Sequence, residues 1–337
     1  KRFLVLTALV MSSTLHAQQD TSFLQEVVVT ANKVAKKQTE TAKVVSVINR
    51  EMLRQSGGRS VGELLNQVAG VSVPGANNNL GSNQTISIRG ASAGNVLILL
   101  DGIPVNDPSV ITNYFDINLL SIDQIERIEI LKGSQSTLYG SDAIAGVINI
   151  ITKKGGTKAL GVNGLASYGS NNTFRGNMGV NGTKDKIDYS VNYSNTTTKG
   201  INETISVNGD RDGYNQNSIQ ANIGFKPTNK VYLQPFFRYT QVNGDIDQGA
   251  FTDEQDYTYK QKSTQVGIKT AVDLKKGKLN ILYSHNIIDR VFIDDSIKSR
   301  NGFDAYSKGA YKGKEHYIEA FAGIDLNKTV KLTVGGD

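Results

Sequence analysis

The side chains best suited to do chemistry in this sequence are carboxylates gathered into two segments. Asp210 and Asp212 flank Arg211 in a glycine-bounded run, and Asp245, Asp247, Asp253, Glu254 and Asp256 crowd the next polar segment. Calcium takes roughly six to eight oxygen ligands, often several carboxylates plus backbone carbonyls. Two adjacent loops carrying Asp210, Asp212, Asp245, Asp247 and Asp253 could supply them jointly. The alternative is a pair of solvated acidic loops, and Arg211 between the aspartates counts against the metal. Calcium is the one metal expected, and no cofactor is otherwise required. Cysteine is absent, which removes thiolate metal sites and disulfides. His16, His285 and His316 read as isolated. With no nucleophile–base grouping and no phosphate-binding loop, an enzyme is not expected.

A second chemistry belongs to the backbone. The β-branched run Glu26, Val27, Val28, Val29, Thr30, Ala31 stands alone between polar flanks. A strand with free edges can add to a partner's sheet through main-chain hydrogen bonds. A third set is Arg89, Glu126, Arg127 and Glu129, charges set close to apolar strands. They suit ion pairing across a domain boundary, or ordinary exposed salt bridges of little energetic weight.

The elements that must position these groups fall into zones. Residues 1–17 read as an export signal: Lys1 and Arg2, the apolar stretch Phe3 to Met11, then Leu15-His16-Ala17. The apolar stretch is too short to span a bilayer. Residues 18–40 are a polar segment around the valine run, 41–154 mix short helices with apolar strands, and 155–337 alternate strictly. Ile187, Tyr189, Val191 and Tyr193 alternate with polar residues, as do Ile219 to Phe225, Val266 to Leu274, and Ile318 to Ile324. Period two gives one apolar and one polar face. A soluble sandwich packs the apolar face inward, whereas a membrane barrel turns it to lipid. Connections alternate between short turns, such as Lys184–Lys186 and Lys275–Lys278, and long segments near 199–213, 243–257 and 291–304. That alternation favours an outer-membrane barrel with long outer loops, in roughly eight or nine strands. The net charge of +6 is modest and mixed, so no nucleic-acid partner is expected. No Met precedes Lys1 and the chain stops within the strand-like run Val330–Val334, so both ends read as truncated.

These residues resemble a known family. The run Glu26–Ala31 resembles the Ton box of TonB-dependent outer-membrane receptors. Ser60 to Val71, with Ser60 and Glu63 as a capping box and Gly70 past the helix, resembles the family's helix-turn segment. Ile86 to Gly90, Val96 to Val105, Ile125 to Gly133 and Leu138 to Thr152 follow in family order. The resemblance implies an α+β plug domain over 41–154, followed by an antiparallel transmembrane β-barrel begun at 155. Full barrels of this kind reach about 22 strands, so the barrel is expected to be incomplete. It further implies binding of TonB, with its ExbB/ExbD motor, at Glu26–Ala31, and plug–barrel contacts at Arg89, Glu126, Arg127 and Glu129. The location implied is the outer membrane of a Gram-negative bacterium, among its lipid. Within the family, the Leu138–Ile144 segment, the short path to the Ton box and Gly209–Tyr214 resemble the cobalamin receptors, which implies cobalamin as cargo, with ferric siderophores as the alternative. A passive porin has no use for residues 26–154, and a secreted β-sandwich module is the remaining competitor.

Overall fold

Apolar runs between residues 45 and 152 become the strands of one small mixed sheet. The computed structural model describes residues 27–28, 33, 36–37, 43–56, 58–205, 209–247, 251, 253–295, 306–327 and 330–337. Ahead of the sheet, β1 (Val27–Val28) pairs antiparallel with β2 (Lys36–Lys37), Val27 opposite Lys37. Residues 1–26 and 29–32, which include the expected export signal and the rest of the valine run, lie outside the described residues.

The sheet contains β3 (Val45–Ile48), β6 (Val96–Leu100), β7 (Ile103–Pro104), β8 (Ile125–Lys132) and β9 (Gly146–Thr152), in the order β3-β8-β9-β6-β7. A separate pair joins β4 (Val71–Ser72) to β5 (Ser87–Ile88). Every residue of β6 and β9 is buried, which explains their unbroken apolar sequence: both faces are covered. Ile128, Ile130, Ile148 and Ile150 pack in one core, and Leu97, Leu99, Leu131 and Val147 in another. Helices α1 (Arg50–Arg54), α2 (Val61–Asn66) and α3 (Ser136–Tyr139) are short. At α2 the Glu63 amide donates to Ser60 Oγ at 3.2 Å and the Ser60 amide to Glu63 Oε2 at 2.5 Å. This satisfies two amides that a helix start leaves open. The helix ends at Asn66, well short of Gly70. Gly70 takes φ 78° in the turn that enters β4. Asp101 (φ 55°) and Gly102 (φ 80°) make the tight turn between β6 and β7.

The alternating zone forms a nine-stranded sheet in which each strand pairs antiparallel with its sequence neighbour. Its strands are β10 (Gly161–Gly169), β11 (Thr173–Lys184), β12 (Ile187–Thr198), β13 (Tyr214–Thr228), β14 (Val231–Asp245), β15 (Tyr257–Leu274), β16 (Gly277–Asp294), β17 (Ser307–Asp325) and β18 (Lys331–Gly336). Its buried side is polar: Ser190, Asn192, Ser194 and Thr196 on β12, and Gln216, Ser218, Gln220 and Asn222 on β13. Its outward side carries Val191, Tyr193, Ile223, Phe225, Ile281 and Ile318, all exposed. A soluble sandwich would show the reverse. The polar side faces the small mixed sheet, as the lumen of a plugged barrel does.

Long connections span 199–213, 246–256 and 295–306, all at one end. The latter two are shorter than the sequence suggests, because ladder pairing carries β14 to Asp245 and β16 to Asp294. Two-residue connections at 185–186, 229–230 and 275–276 close the other end. The β10–β11 connection, Ser170–Asn172, lies at the long-loop end yet is a tight turn. Asn171 and Asn172 adopt φ 58° and 54° there, a left-handed conformation that asparagine tolerates.

Candidate functional site: acidic loops locked to a plug apex

The loops 199–213 and 246–256 meet at the top of β12–β15 and bring their carboxylates together. Asp212 is only 2% exposed. Its Oδ2 accepts from the Glu203 amide at 3.2 Å, while its Oδ1 is buried with no hydrogen-bond partner among the described residues. Asp247 Oδ1 accepts from the Glu254 amide at 2.8 Å, and Asp247 Oδ2 is likewise orphaned. Burial pushes the Asp212 carboxyl up to about 7, with Asp247, Glu203 and Asp210 adding their negative charge. Burial also raises Asp247, with repulsion from Asp253, Asp210 and Glu203. Asp253 Oδ1 accepts from Thr204 Oγ1 at 3.3 Å. Asp210, Asp212, Asp247 and Asp253 are therefore one electrostatic unit, joined by Glu203, which sequence reading missed. Glu203 has no acidic neighbour in sequence that would have marked it. Asp245 is turned to the backbone, accepting from the Gly213 amide at 3.0 Å. Arg211 donates to the Gly200 carbonyl at 3.5 Å. Glu254 and Asp256 group instead with Asp294, their ligand atoms within 4.8 Å of one another.

The small mixed domain reaches this unit through the segment around residues 79–82. Glu203 Oε1 accepts from the Asn79 amide at 2.8 Å and from Ser82 Oγ at 2.6 Å. Asn79 Nδ2 donates to the Asp212 carbonyl. Tyr259 donates to the Gly81 carbonyl at 3.0 Å. Gly81 has φ +94°, and a Cβ there would lie 2.6 Å from the Tyr214 ring and 2.7 Å from the Tyr259 hydroxyl. Only glycine fits that turn beneath the two tyrosines.

Deeper in the lumen, Asp101 is the hub of a buried charge cluster. Arg238 Nη2 of β14 donates to Asp101 Oδ2 at 2.5 Å, and Thr152 donates to both carboxylate oxygens. Lys269 of β15 donates to the Asp101 carbonyl. Burial pushes the Asp101 carboxyl up, but Lys269 and Arg238, helped by Lys154 and Thr152, outweigh it and hold it well below the usual carboxylate range. Arg290 of β16 lies 3.6 Å from Asp107 and donates to Ser109 Oγ at 2.9 Å. Gln124 Nε2 donates to Ser194 Oγ at 3.3 Å.

Residues 37–147 match the TonB-dependent Receptor Plug Domain family. Those residues form a TonB-dependent receptor plug domain, and the chain that carries it is similar to such receptors. It is 37% identical over 129 residues to the vitamin B12 transporter BtuB of Vibrio cholerae, an alignment covering 38% of this chain and 21% of that one. In structure it is similar to a mutant of the ferric enterobactin receptor PfeA from Pseudomonas aeruginosa. That match has TM-score 0.72 and 21% identity, and it covers 92% of this chain and 50% of the other. It is also similar to the siderophore receptor PirA from Acinetobacter baumannii, with TM-score 0.66, 22% identity and 86% against 47% coverage. The chain thus spans about half the length of these solved receptors.

Within that family frame, the four charges singled out from the sequence sit in the plug. Arg127 Nη2 lies 2.8 Å from Glu129 Oε1, and Glu129 is fully buried. Glu126 lies 3.5 Å from Arg50 Nη1. Arg89, at φ 53°, has its side chain beside Gly70 and Gly133. The ion pairs that cross to the nine-stranded sheet run through Asp101 and Asp107, among the described residues of the plug. Of the valine run, Val27 and Val28 are described, in β1. Lys33, farther along the same segment, pairs with Glu319 of β17 and lies 5.0 Å from the Tyr139 ring centroid.

Proposed function

We propose that this chain is part of an outer-membrane transporter of a Gram-negative bacterium that takes up a scarce nutrient, cobalamin, using energy delivered by TonB. The observation that carries this reading is the plug apex tied to the acidic loops through Asn79, Ser82 and Glu203. Ligand seated on those loops would be felt by the plug without any further mechanical link. TonB, driven by ExbB/ExbD, would engage the Glu26–Ala31 strand by edge addition, and Lys33 would pass the pull to β17 and Tyr139.

Calcium fits the acidic unit. Two buried carboxylate oxygens, on Asp212 and Asp247, lack partners among the described residues, and clustered carboxylates with raised proton affinity are what a divalent cation relieves. Asp210, Asp212, Asp247 and Asp253 would hold it, with Glu203 at its edge. Bound there, calcium supplies the positive charge that lets the two loops order against the plug. Identity to the vitamin B12 transporter supports cobalamin. The siderophore receptors with the same fold make a ferric siderophore the second reading. The test is equilibrium binding of cobalamin and several ferric siderophores to the full-length receptor, in calcium and in chelator. Calcium-tightened cobalamin binding is expected. Siderophore binding indifferent to calcium would replace it.

A further inference from the structure

One lateral row of the nine-stranded sheet places Gln220, Arg238 and Gln265 side by side on β13, β14 and β15. Gln220 pairs opposite Arg238, and Arg238 opposite Gln265. All three are buried on the polar side that faces the plug. Neighbouring strands lie about 4.8 Å apart, so successive side chains of such a row touch. Against them the plug sets Leu100, Val105, Phe115 and Leu119, and the two surfaces leave a cavity of about 40 Å³ between them. That volume admits a monatomic ion or about two or three waters, and nothing larger.

The polar atoms of this row are out of balance. Arg238 commits Nη2 to Asp101 at 2.5 Å and Nη1 to Gln265 Oε1 at 2.6 Å. Its Nε is buried with no partner among the described residues, and the same holds for Gln220 Nε2 and Gln265 Nε2. The bond from Arg238 engages the oxygen of the Gln265 amide, so the end left over is a donor. Ser218 and Thr240 also border the cavity, but their hydroxyls bond each other at 2.9 Å. The surplus is therefore three N–H groups, and a buried donor left unbonded costs its full desolvation. The charges are unbalanced in the same sense, because Arg238 and Lys269 both bond Asp101, one carboxylate for two cations.

We infer that this cavity binds a monatomic anion of halide size, held by Arg238 Nε, Gln220 Nε2 and Gln265 Nε2. Water is the poorer occupant. It has two protons of its own to place and settles where polar partners receive them. An anion accepts from all three donors and supplies the missing negative charge. The apolar plug residues on the other side keep bulk water away, so the attraction acts at close range in a medium of low dielectric. Asp101 follows β6, and Thr152 at the end of β9 donates to its carboxylate. Because Arg238 holds Asp101 as well, a bound anion ties the wall to β6 and β9 of the plug. The site is separate from the acidic loops, whose carboxylates suit a cation.

The experiment uses the full-length receptor, crystallised from bromide and, in solution, compared in chloride and in gluconate at one ionic strength. Bromide should give an anomalous peak in the cavity, bordered by Gln220, Arg238 and Gln265. Gluconate is too large to enter. A ligand at about ten times its dissociation constant, bound only to the closed plug, slows local opening about tenfold. Hydrogen exchange across β6 and β9 should therefore be about tenfold faster in gluconate than in saturating chloride. Gln220→Glu carries its own anion into the cavity, so the bromide peak should vanish and exchange should no longer depend on the salt. Asn222→Ala removes an unpartnered buried amide that does not border the cavity, and it should keep both responses. Water alone in the cavity, exchange in the unaltered receptor that ignores the anion, or a Gln220→Glu receptor that still takes bromide would overturn the inference. Should Gln220→Glu fail to fold, the bromide peak and salt response of the unaltered receptor decide alone. Neither readout involves uptake or TonB, so the outcome is independent of the transport reading.

Discussion

Arg238 on the wall and Asp101 in the plug meet at 2.5 Å with side chains only 9% and 4% exposed. Removing one member of such a pair strands the other charge in a low-dielectric site, at a cost of about 3–5 kcal/mol. Asp101→Asn should therefore loosen the plug, because Arg238 and Lys269 then share the lumen without their anion. Hydrogen exchange on the full-length receptor should show faster exchange across β6, β7 and β9. Unchanged protection would remove Asp101 as the anchor of the plug.

The acidic loops should respond to pH in a defined direction. Asp212 carries a carboxyl raised to about 7 in the folded state, above the ordinary value near 3.9. Folded loops thus bind more protons than unfolded ones between about pH 4 and pH 7, so loop stability falls as pH rises through that window. Without divalent cation, protection of 199–213 and 246–256 should be greater at pH 5 than at pH 8. Added calcium should reverse the order, because it competes with the protons. The Asp212→Asn/Asp247→Asn variant should lose both effects while keeping its fold. Protection that ignores pH in the unaltered receptor would argue for solvated loops.

Topology is checked by thiol labelling. Ile205 and Phe251 are exposed in the long loops, whereas Asp185 and Lys276 lie in two-residue connections at the other end. Ile205→Cys and Phe251→Cys should react with an impermeant reagent on intact cells. Asp185→Cys and Lys276→Cys should react only once the outer membrane is ruptured. The opposite pattern would invert the barrel.

Energy coupling is tested at Val28. Proline removes a backbone donor and disfavours strand pairing, and Val28 pairs opposite Lys36 in β1–β2. Val28→Pro in the full-length receptor should abolish uptake while leaving ligand binding at the outer face within about twofold. Normal energised uptake would dissociate the valine run from TonB.

Gly81→Ala should separate the plug apex from the loops. A Cβ has no room beneath Tyr214 and Tyr259, and φ +94° is strained for alanine. Ligand affinity should drop at least about tenfold with little change in thermal unfolding. Unaltered affinity would show that the apex contact does not serve binding.

The sequence by itself determined the strands, their alternation and the order of domains. Side-chain direction in a strand repeats every two residues, so Ile187 to Tyr193 and Ile219 to Phe225 declare a two-faced ladder before any partner is known. The capping box at Ser60 and Glu63 and the tight turn at Asp101-Gly102 were legible for the same reason: both are local, made by residues within a few positions of each other. Which face meets the plug was not local. Period two is identical in a sandwich and a barrel, and only the burial of Ser190, Ser194 and Gln220 against exposed Val191 and Ile223 decided it. Contact partners distant in sequence were equally hidden. Arg238 lies 137 positions from Asp101, and no charge pattern ties them together. Arg127 and Glu129, two positions apart on β8, drew attention as boundary charges, yet they pair with each other in the plug. Glu203 joins the acidic unit, and His285 meets His316, because loop closure and ladder register bring together residues whose sequence neighbours say nothing of it. Register is a property of strand pairing, so it exists only once the sheet has formed.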